Sequence, residues 1–206
     1  MEKFLALPEE KRKGIIDAGL STFGRVGYKK ASVNDIATAA GISKAMIFHY
    51  FGSKKQMYLY LIQYACDRII EAFTSEMLPK TQTDFFDRIL VGMMIKLQVL
   101  KAHPSFLQFL MSVYYETDPE VAQEIADFLK YSEQFRGELA LTDIDREKFK
   151  PGVEPELVLK ILVKCAEGYV STPQVPTTLD VEQLVEEFRA IIKVMRNNFY
   201  KEAYLE

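Results

Sequence analysis

The chain has 206 residues, 49% of them hydrophobic, with two cysteines, no tryptophan and a formal net charge of −3. That is enough apolar material for a real core, and it fits one small domain plus one of ordinary size. No apolar run approaches the ~20 residues of a membrane span. Residues 1–8 lack the apolar centre of a secretion signal, and Cys66 and Cys165 lie in separate helical patterns without CxxC spacing. A cytoplasmic chain with two buried, unpaired thiols is expected.

The first predicted helix covers 9–26. Ile15, Ile16, Leu20, Phe23 and Val26 recur at helical spacing, Pro8 suits the first turn and Gly27 suits the stop. A shorter helix follows, with Ser32 as N-cap, Asp35 three residues on, and Val33, Ile36, Ala37 and Ala40 as its apolar stripe. Gly41 supplies the positive φ that ends it. Ser43 caps the next helix, in which Ile47, Phe48 and Phe51 are expected to face inward and Lys44, Ala45, Met46, His49 and Tyr50 outward. Two short helices joined at a glycine spell a helix-turn-helix. An outward face of small, basic and aromatic residues suits a helix lying in the major groove of DNA, although an ordinary αα-corner has the same periodicity.

Ser53 and Gln56 form a further capping box, opening a long helix that is expected to run to about Met77 and stop at Leu78-Pro79. At 1.5 Å per residue it would span roughly 35 Å. Lys54 and Lys55 in its first turn oppose the helix dipole, which a phosphate partner would explain. Further helices are predicted at about 85–102, 105–115, 119–141, 155–170 and 180–200. They are separated by His103-Pro104, by Asp118-Pro119, by a polar surface loop at 142–154 and by the proline-containing segment 171–178. No alternating strand pattern competes, so the chain is expected to be all-α.

Residues 12–60 resemble the DNA-binding region of the TetR family of bacterial transcriptional repressors. The resemblance rests on Phe23-Gly24-Arg25-Val26-Gly27-Tyr28, on Ile36-Ala37-Thr38-Ala39-Ala40-Gly41-Ile42-Ser43-Lys44, and on Phe48-His49-Tyr50-Phe51-Gly52-Ser53-Lys54. It implies a three-helix DNA-binding domain at 1–52 and a larger helical ligand-binding and dimerisation domain at 53–206. It also implies base contacts from Lys44, Ala45, Met46 and His49 and phosphate contacts from Tyr50 and Lys54. Ser32, Asn34 and Ser43, at the starts of the two short helices, join the expected DNA-binding set. Position 45 is often glycine in such sequences; alanine here favours the helix by up to about 1 kcal/mol.

Charge divides the chain the same way. Residues 1–55 carry ten lysines and arginines against five aspartates and glutamates, so the acidic excess lies wholly in the remainder. A basic head on an acidic body orients the head toward a polyanion. On the last predicted helix Val181, Leu184, Val185, Phe188, Ile191, Ile192, Met195 and Phe199 form one stripe, and the helix before it is apolar on more than one side. The pair is expected to make a homodimer, which in the family is a four-helix bundle with the twofold mate.

The middle helices are rich in soft, large side chains. Tyr64, Phe73, Met93, Met94, His103, Phe109, Tyr114, Phe128 and Tyr169 are taken as candidate effector contacts, although the same composition describes any helical core. A guest pressing on Tyr64, Ile69 or Phe73 would tilt the long helix and change how the heads engage DNA. No catalytic constellation, metal cluster or phosphate loop is present in the sequence, and no cofactor is expected. The reading is a dimeric repressor of a palindromic operator, released by a small apolar or amphiphilic ligand. A DNA-bound adaptor whose C-terminal domain takes a protein partner, and an enzyme, are the alternatives.

Overall fold

The computed structural model describes residues 1–75, 82–170 and 181–205. Ten α-helices follow in chain order among them: α1 (Glu2–Leu5), α2 (Glu9–Lys30), α3 (Val33–Ala39), α4 (Lys44–Phe51), α5 (Lys54–Ser75), α6 (Phe85–Ala102), α7 (Pro104–Tyr114), α8 (Ala122–Leu141), α9 (Pro155–Val170) and α10 (Val181–Phe199). The fold is all-α. The expected stop at Leu78-Pro79, the segment 171–178 and the cap at Asp180 lie outside the described residues, as do the side chains of Tyr169, Val181 and Leu184. No helix among the described residues is long and apolar enough to cross a membrane.

By its contacts the chain forms two compact units, Met1–Ala72 with Gln98–Tyr131, and Phe73–Leu97 with Ser132–Glu206. The core of the first holds Ile15, Leu20 and Phe23 of α2, Ile36 of α3, Ile47 of α4, Tyr58 and Leu61 of α5, and Phe106 and Phe109 of α7. Two glycines set how closely the neighbours approach α2. A Cβ on Gly19 would lie 2.7 Å from Cδ1 of Leu61, and one on Gly24 would lie 3.0 Å from the backbone nitrogen of Phe109. The Phe23-Gly24 pair is thereby explained: the phenyl ring fills the core while the missing side chain admits the backbone of α7.

Helix α1 has no counterpart among the predicted elements. Its Phe4 is fully buried, with its ring centroid 4.7 Å from Phe51, 5.4 Å from Tyr60 and 6.0 Å from Tyr50. Helix α2 runs past Gly27, whose φ of 75° breaks the regular geometry, and a last turn continues to Lys30.

In the second unit Phe85, Phe86, Phe149 and Tyr200 form an aromatic group, with centroids 5.0 Å apart for Phe86–Tyr200 and 4.9 Å for Phe149–Tyr200. A polar clamp lies beside it. Asp84, only 8% exposed, accepts from Lys148 at 3.1 Å and Arg196 at 3.0 Å, and Arg196 also pairs with Asp87. Arg88, equally buried, donates to the carbonyls of Gln82 and Thr142. A buried charge needs such partners. The expected polar surface loop at 142–154 is corrected here: it buries Ile144 and Phe149, carries a 3-10 turn at Arg146–Lys148, and bridges to the C-terminal segment through Lys150 N–H to Phe199 O at 2.8 Å. Lys148 and the neighbouring Thr83 hydroxyl hold the Asp145 carboxyl below the usual carboxylate range.

The apolar stripe of α10 is mostly spent within its own unit. Phe188 and Ile192 are buried, and Ile191, Met195 and Phe199 pack against the same core. Among the described residues of α9 and α10, Leu157, Ile161 and Val194 remain exposed.

Two substitutions test this packing. Gly24→Ala places a methyl group against unyielding backbone and should destabilise by about 1–3 kcal/mol. Phe4→Ala should cost about 3 kcal/mol or more. Urea denaturation measures both, and unchanged midpoints would refute the close approach and the α1 anchor respectively.

Candidate nucleic-acid interface

Local chemistry shapes α3 and α4. The Ser32 hydroxyl accepts from the backbone N–H of Asn34 at 3.2 Å and of Asp35 at 3.4 Å, and that of Ser43 accepts from Met46 N–H at 3.3 Å. Each satisfies donors that a helix start leaves open. Between them Gly41 takes φ 66°, and Gly52 takes φ 78° where α4 ends. Ser53 caps α5 through Gln56 N–H at 3.1 Å.

Helix α4 buries Ile47, Tyr50 and Phe51, the i, i+3, i+4 set, and exposes Lys44, Ala45, Phe48 and His49. The expected inward Phe48 and outward Tyr50 are therefore exchanged. Phe48 is 40% exposed and Tyr50 only 7%. Position 48 follows Ile47 by one residue and so lies about 100° round the helix, whereas position 50 returns to the buried side, where Phe4 packs on the Tyr50 ring. Met46 is half-buried against the same core. The Lys44 ammonium lies 5.9 Å from the Phe48 ring centroid, and the His49 ring meets Tyr50 edge-on at 5.8 Å. Asn34 is exposed on α3.

The two lysines that open α5 have partners inside the unit. Lys54 donates to the carbonyl of Tyr28 at 3.0 Å, with its ammonium 4.3 Å from the centroid of that ring. Lys55 pairs with Glu124 at 2.6 Å, and that contact draws the Glu124 carboxyl below its usual range. An intramolecular carboxylate thus accounts for Lys55 where a phosphate was expected. Tyr28 and Tyr58 are fully buried, and burial raises both phenols well above their ordinary range, so they stay neutral. Sequence reading missed Glu116, whose carboxylate accepts the Tyr28 N–H at 2.7 Å. No motif marks it.

The candidate effector contacts whose side chains are described are divided between the two units. In the first unit Phe109 is a fully buried core residue against Tyr58, Phe128 packs on the same core, and Tyr114 is 42% exposed. Tyr64 meets Phe106 edge-on, and His103 stacks on Phe106 at 4.4 Å. Burial pushes the His103 imidazole below its ordinary value against the opposing pull of Asp17. In the second unit Phe73 meets Phe135 at 6.2 Å, Met93 packs on the core and Met94 is 38% exposed. Among the described residues Tyr64 and His103 lie together on the Phe106 ring. No group of histidine, cysteine or carboxylate side chains among them is arranged to hold a metal.

A capped helix pair joined at a glycine, with a short second helix presenting a basic and aromatic face, defines a helix-turn-helix protein. Residues 15–61 match the family profile of bacterial regulatory proteins, tetR family. The chain is 45% identical over 53 residues to the transcriptional regulator BetI of Agrobacterium fabrum, covering 26% of each chain. It is 26% identical over 120 residues to the transcriptional activator FasR of Mycolicibacterium smegmatis, covering 58% of this chain and 54% of that one. These matches thus span about a quarter and about half of the relatives' lengths. A crystal structure of a TetR family transcriptional regulator from Chloroflexus aurantiacus superposes with a TM-score of 0.72 at 23% identity, covering 98% of this chain and 99% of that chain. Residues 15–61 thus carry the N-terminal region of the TetR family of bacterial regulatory proteins, and the chain as a whole shares the fold of that Chloroflexus aurantiacus structure.

The exposed lysine of α4 generates one expectation about this surface. Lys44→Ala should leave the unfolding free energy within about 0.5 kcal/mol of the parent, because the side chain is solvated. Calorimetry showing a larger loss would mean that Lys44 supports the fold.

Proposed function

We propose that the protein is a dimeric transcriptional repressor that binds a palindromic operator through α4 and is released by a small apolar or amphiphilic ligand. The observation that carries the DNA-binding part is the α4 surface: Lys44, Ala45 and His49 stand exposed on a helix whose opposite side is locked by Ile47, Tyr50 and Phe51. The excess of basic residues in 1–55 supports it. In this reading Lys44, Ala45, Met46 and His49 meet base edges. Tyr50 and Lys54 meet phosphates, and Ser32, Asn34 and Ser43 complete the DNA-binding set. Residues 1–52 form the reading domain by role and 53–206 the responding and dimerising domain. The chemistry is binding, not catalysis.

Dimerisation rests on Leu157, Ile161 and Val194, which remain exposed after the second unit has closed its core. Leu157 and Ile161 line one groove with Lys160, Lys164 and Cys165. Two heads on a twofold axis would read half-sites one helical turn, or a multiple, apart.

Selection from a random duplex library followed by footprinting tests operator recognition. A symmetric protected site is expected, and Lys44→Ala should relax preference at particular bases by about 1–3 kcal/mol. Failure to enrich any sequence would sink specific binding. For the dimer, Ile161→Glu should shift sedimentation to monomer and weaken operator binding about 100-fold or more, since paired sites gain by linkage. A parent that sediments as monomer at micromolar concentration ends that part. Thermal-shift screening of apolar and amphiphilic compounds tests release. A stabilising ligand should change operator affinity about 5- to 150-fold, and one that saturates without effect counts against it.

A further inference from the structure

Three helices of the first unit meet at Tyr28. The kink at Gly27, with φ 75° and ψ 172°, takes the chain out of the helix ladder, and the Tyr28 N–H then donates to Oε2 of Glu116 at 2.7 Å. Glu116, just beyond the end of α7, is held from its own side: Oε1 accepts from the N–H groups of Thr117 and Asp118, each at 3.0 Å. A Cβ on residue 27 would come 3.2 Å from Oε2, so the missing side chain keeps the approach open. On the other side of Tyr28, its carbonyl accepts from Nζ of Lys54 at 3.0 Å, and the ammonium sits 4.3 Å from its ring centroid. That ring is 1% exposed and packed on Phe23 and Tyr58.

The two hydrogen bonds lie on either side of the Tyr28 Cα, so together they fix both its backbone and its ring. Lysine is otherwise a flexible chain with a strongly hydrated point charge. Here its ammonium has one of three donors on a fixed carbonyl and one side against a fixed π face, which leaves the remaining donors with a set direction. A cation held in place loses less freedom when it takes an anion.

We propose that Glu116 and Tyr28 are positioning residues for Lys54, forming a chain from the end of α7 to the phosphate contact at the start of α5. The proposal rests on the DNA-binding reading above, and it gives that reading a residue 88 positions from Tyr28 on which phosphate affinity depends.

The test compares the parent with Glu116→Gln, Lys54→Met and the double variant. Glutamine replaces one acceptor oxygen with a donor amide, so it cannot serve Tyr28 and the Thr117–Asp118 pair together. The first readout is acylation of Lys54 by acetic anhydride without DNA, followed by mass spectrometry with Lys44 as internal reference. Glu116→Gln should speed acylation of Lys54 several-fold, about 3-fold or more, and leave Lys44 unchanged. The second is gel-shift titration with a random-sequence duplex. Glu116→Gln should weaken binding about tenfold, and the double variant should bind no more weakly than Lys54→Met alone. Unchanged acylation of Lys54, or losses that multiply in the double variant, would overturn the chain and leave Glu116 a staple of the fold. Should Glu116→Gln fail to fold, Glu116→Asp, which keeps the charge but shortens the reach, goes through the same two readouts. A parent that binds no duplex at any salt concentration refutes the DNA-binding reading itself, and acylation alone then decides whether Glu116 positions Lys54.

Discussion

The absence of a side chain at Gly24 allows the backbone of α7 to lie against α2, with a hypothetical Cβ only 3.0 Å from Phe109 N and 3.2 Å from Phe109 Cα. Such an approach cannot be relieved by a rotamer change, because the neighbour is main chain. Everything else in the first unit follows from it. Phe106, Phe109 and Val113 of α7 enter the same core as Ile15, Leu20 and Phe23. Glu116 then arrives beside the Gly27 kink, and Glu124 of α8 beside Lys55. The helix-turn-helix is not a free-standing three-helix head; it shares one core with residues drawn from 98–131.

That sharing matters because α3 and α4 are short, at seven and eight residues. Helices of this length are marginal alone, and their stability comes from the face they bury. Serine caps and glycine stops define where they begin and end, but Ile36, Ile47 and Phe51 in a common core hold them at a fixed angle. Phe4 adds to this from the outside, closing over Tyr50 and Phe51. A reading surface is useful only if its side chains are presented rigidly, and here the rigidity comes from behind the surface.

The second unit is held together differently. Its aromatic group around Phe86 and Tyr200 lies next to a charged clamp, where Asp84 receives Lys148 and Arg196 and Arg88 caps the Thr142 carbonyl. The clamp ties the start of α6, the segment after α8 and the end of α10 at one place. With those ends fixed, α10 turns its stripe onto its own core, and α9 is left with Leu157 and Ile161 outside.

The sequence by itself determined the all-α class, most helix boundaries among the described residues apart from α1, the end of α2 and the start of α8, and the helix-turn-helix with its caps at Ser32 and Ser43 and its turn at Gly41. Those signals are local: a hydroxyl reaching two or three residues along, a residue free to take positive φ, a period of 3.6. Tertiary structure decided the rest. It chose Tyr50 over Phe48 for burial, on the side of α4 that Ile47 and Phe51 also bury and where Phe4 packs on the Tyr50 ring. It placed Phe109, a candidate effector contact, in the core beneath α2. It gave Lys55 a carboxylate and Lys54 a carbonyl and a ring, and it made Glu116 the partner of Tyr28. Each of these depends on which distant segment arrives at a given face, and a pattern of spacings along one helix carries no information about what will be packed against it.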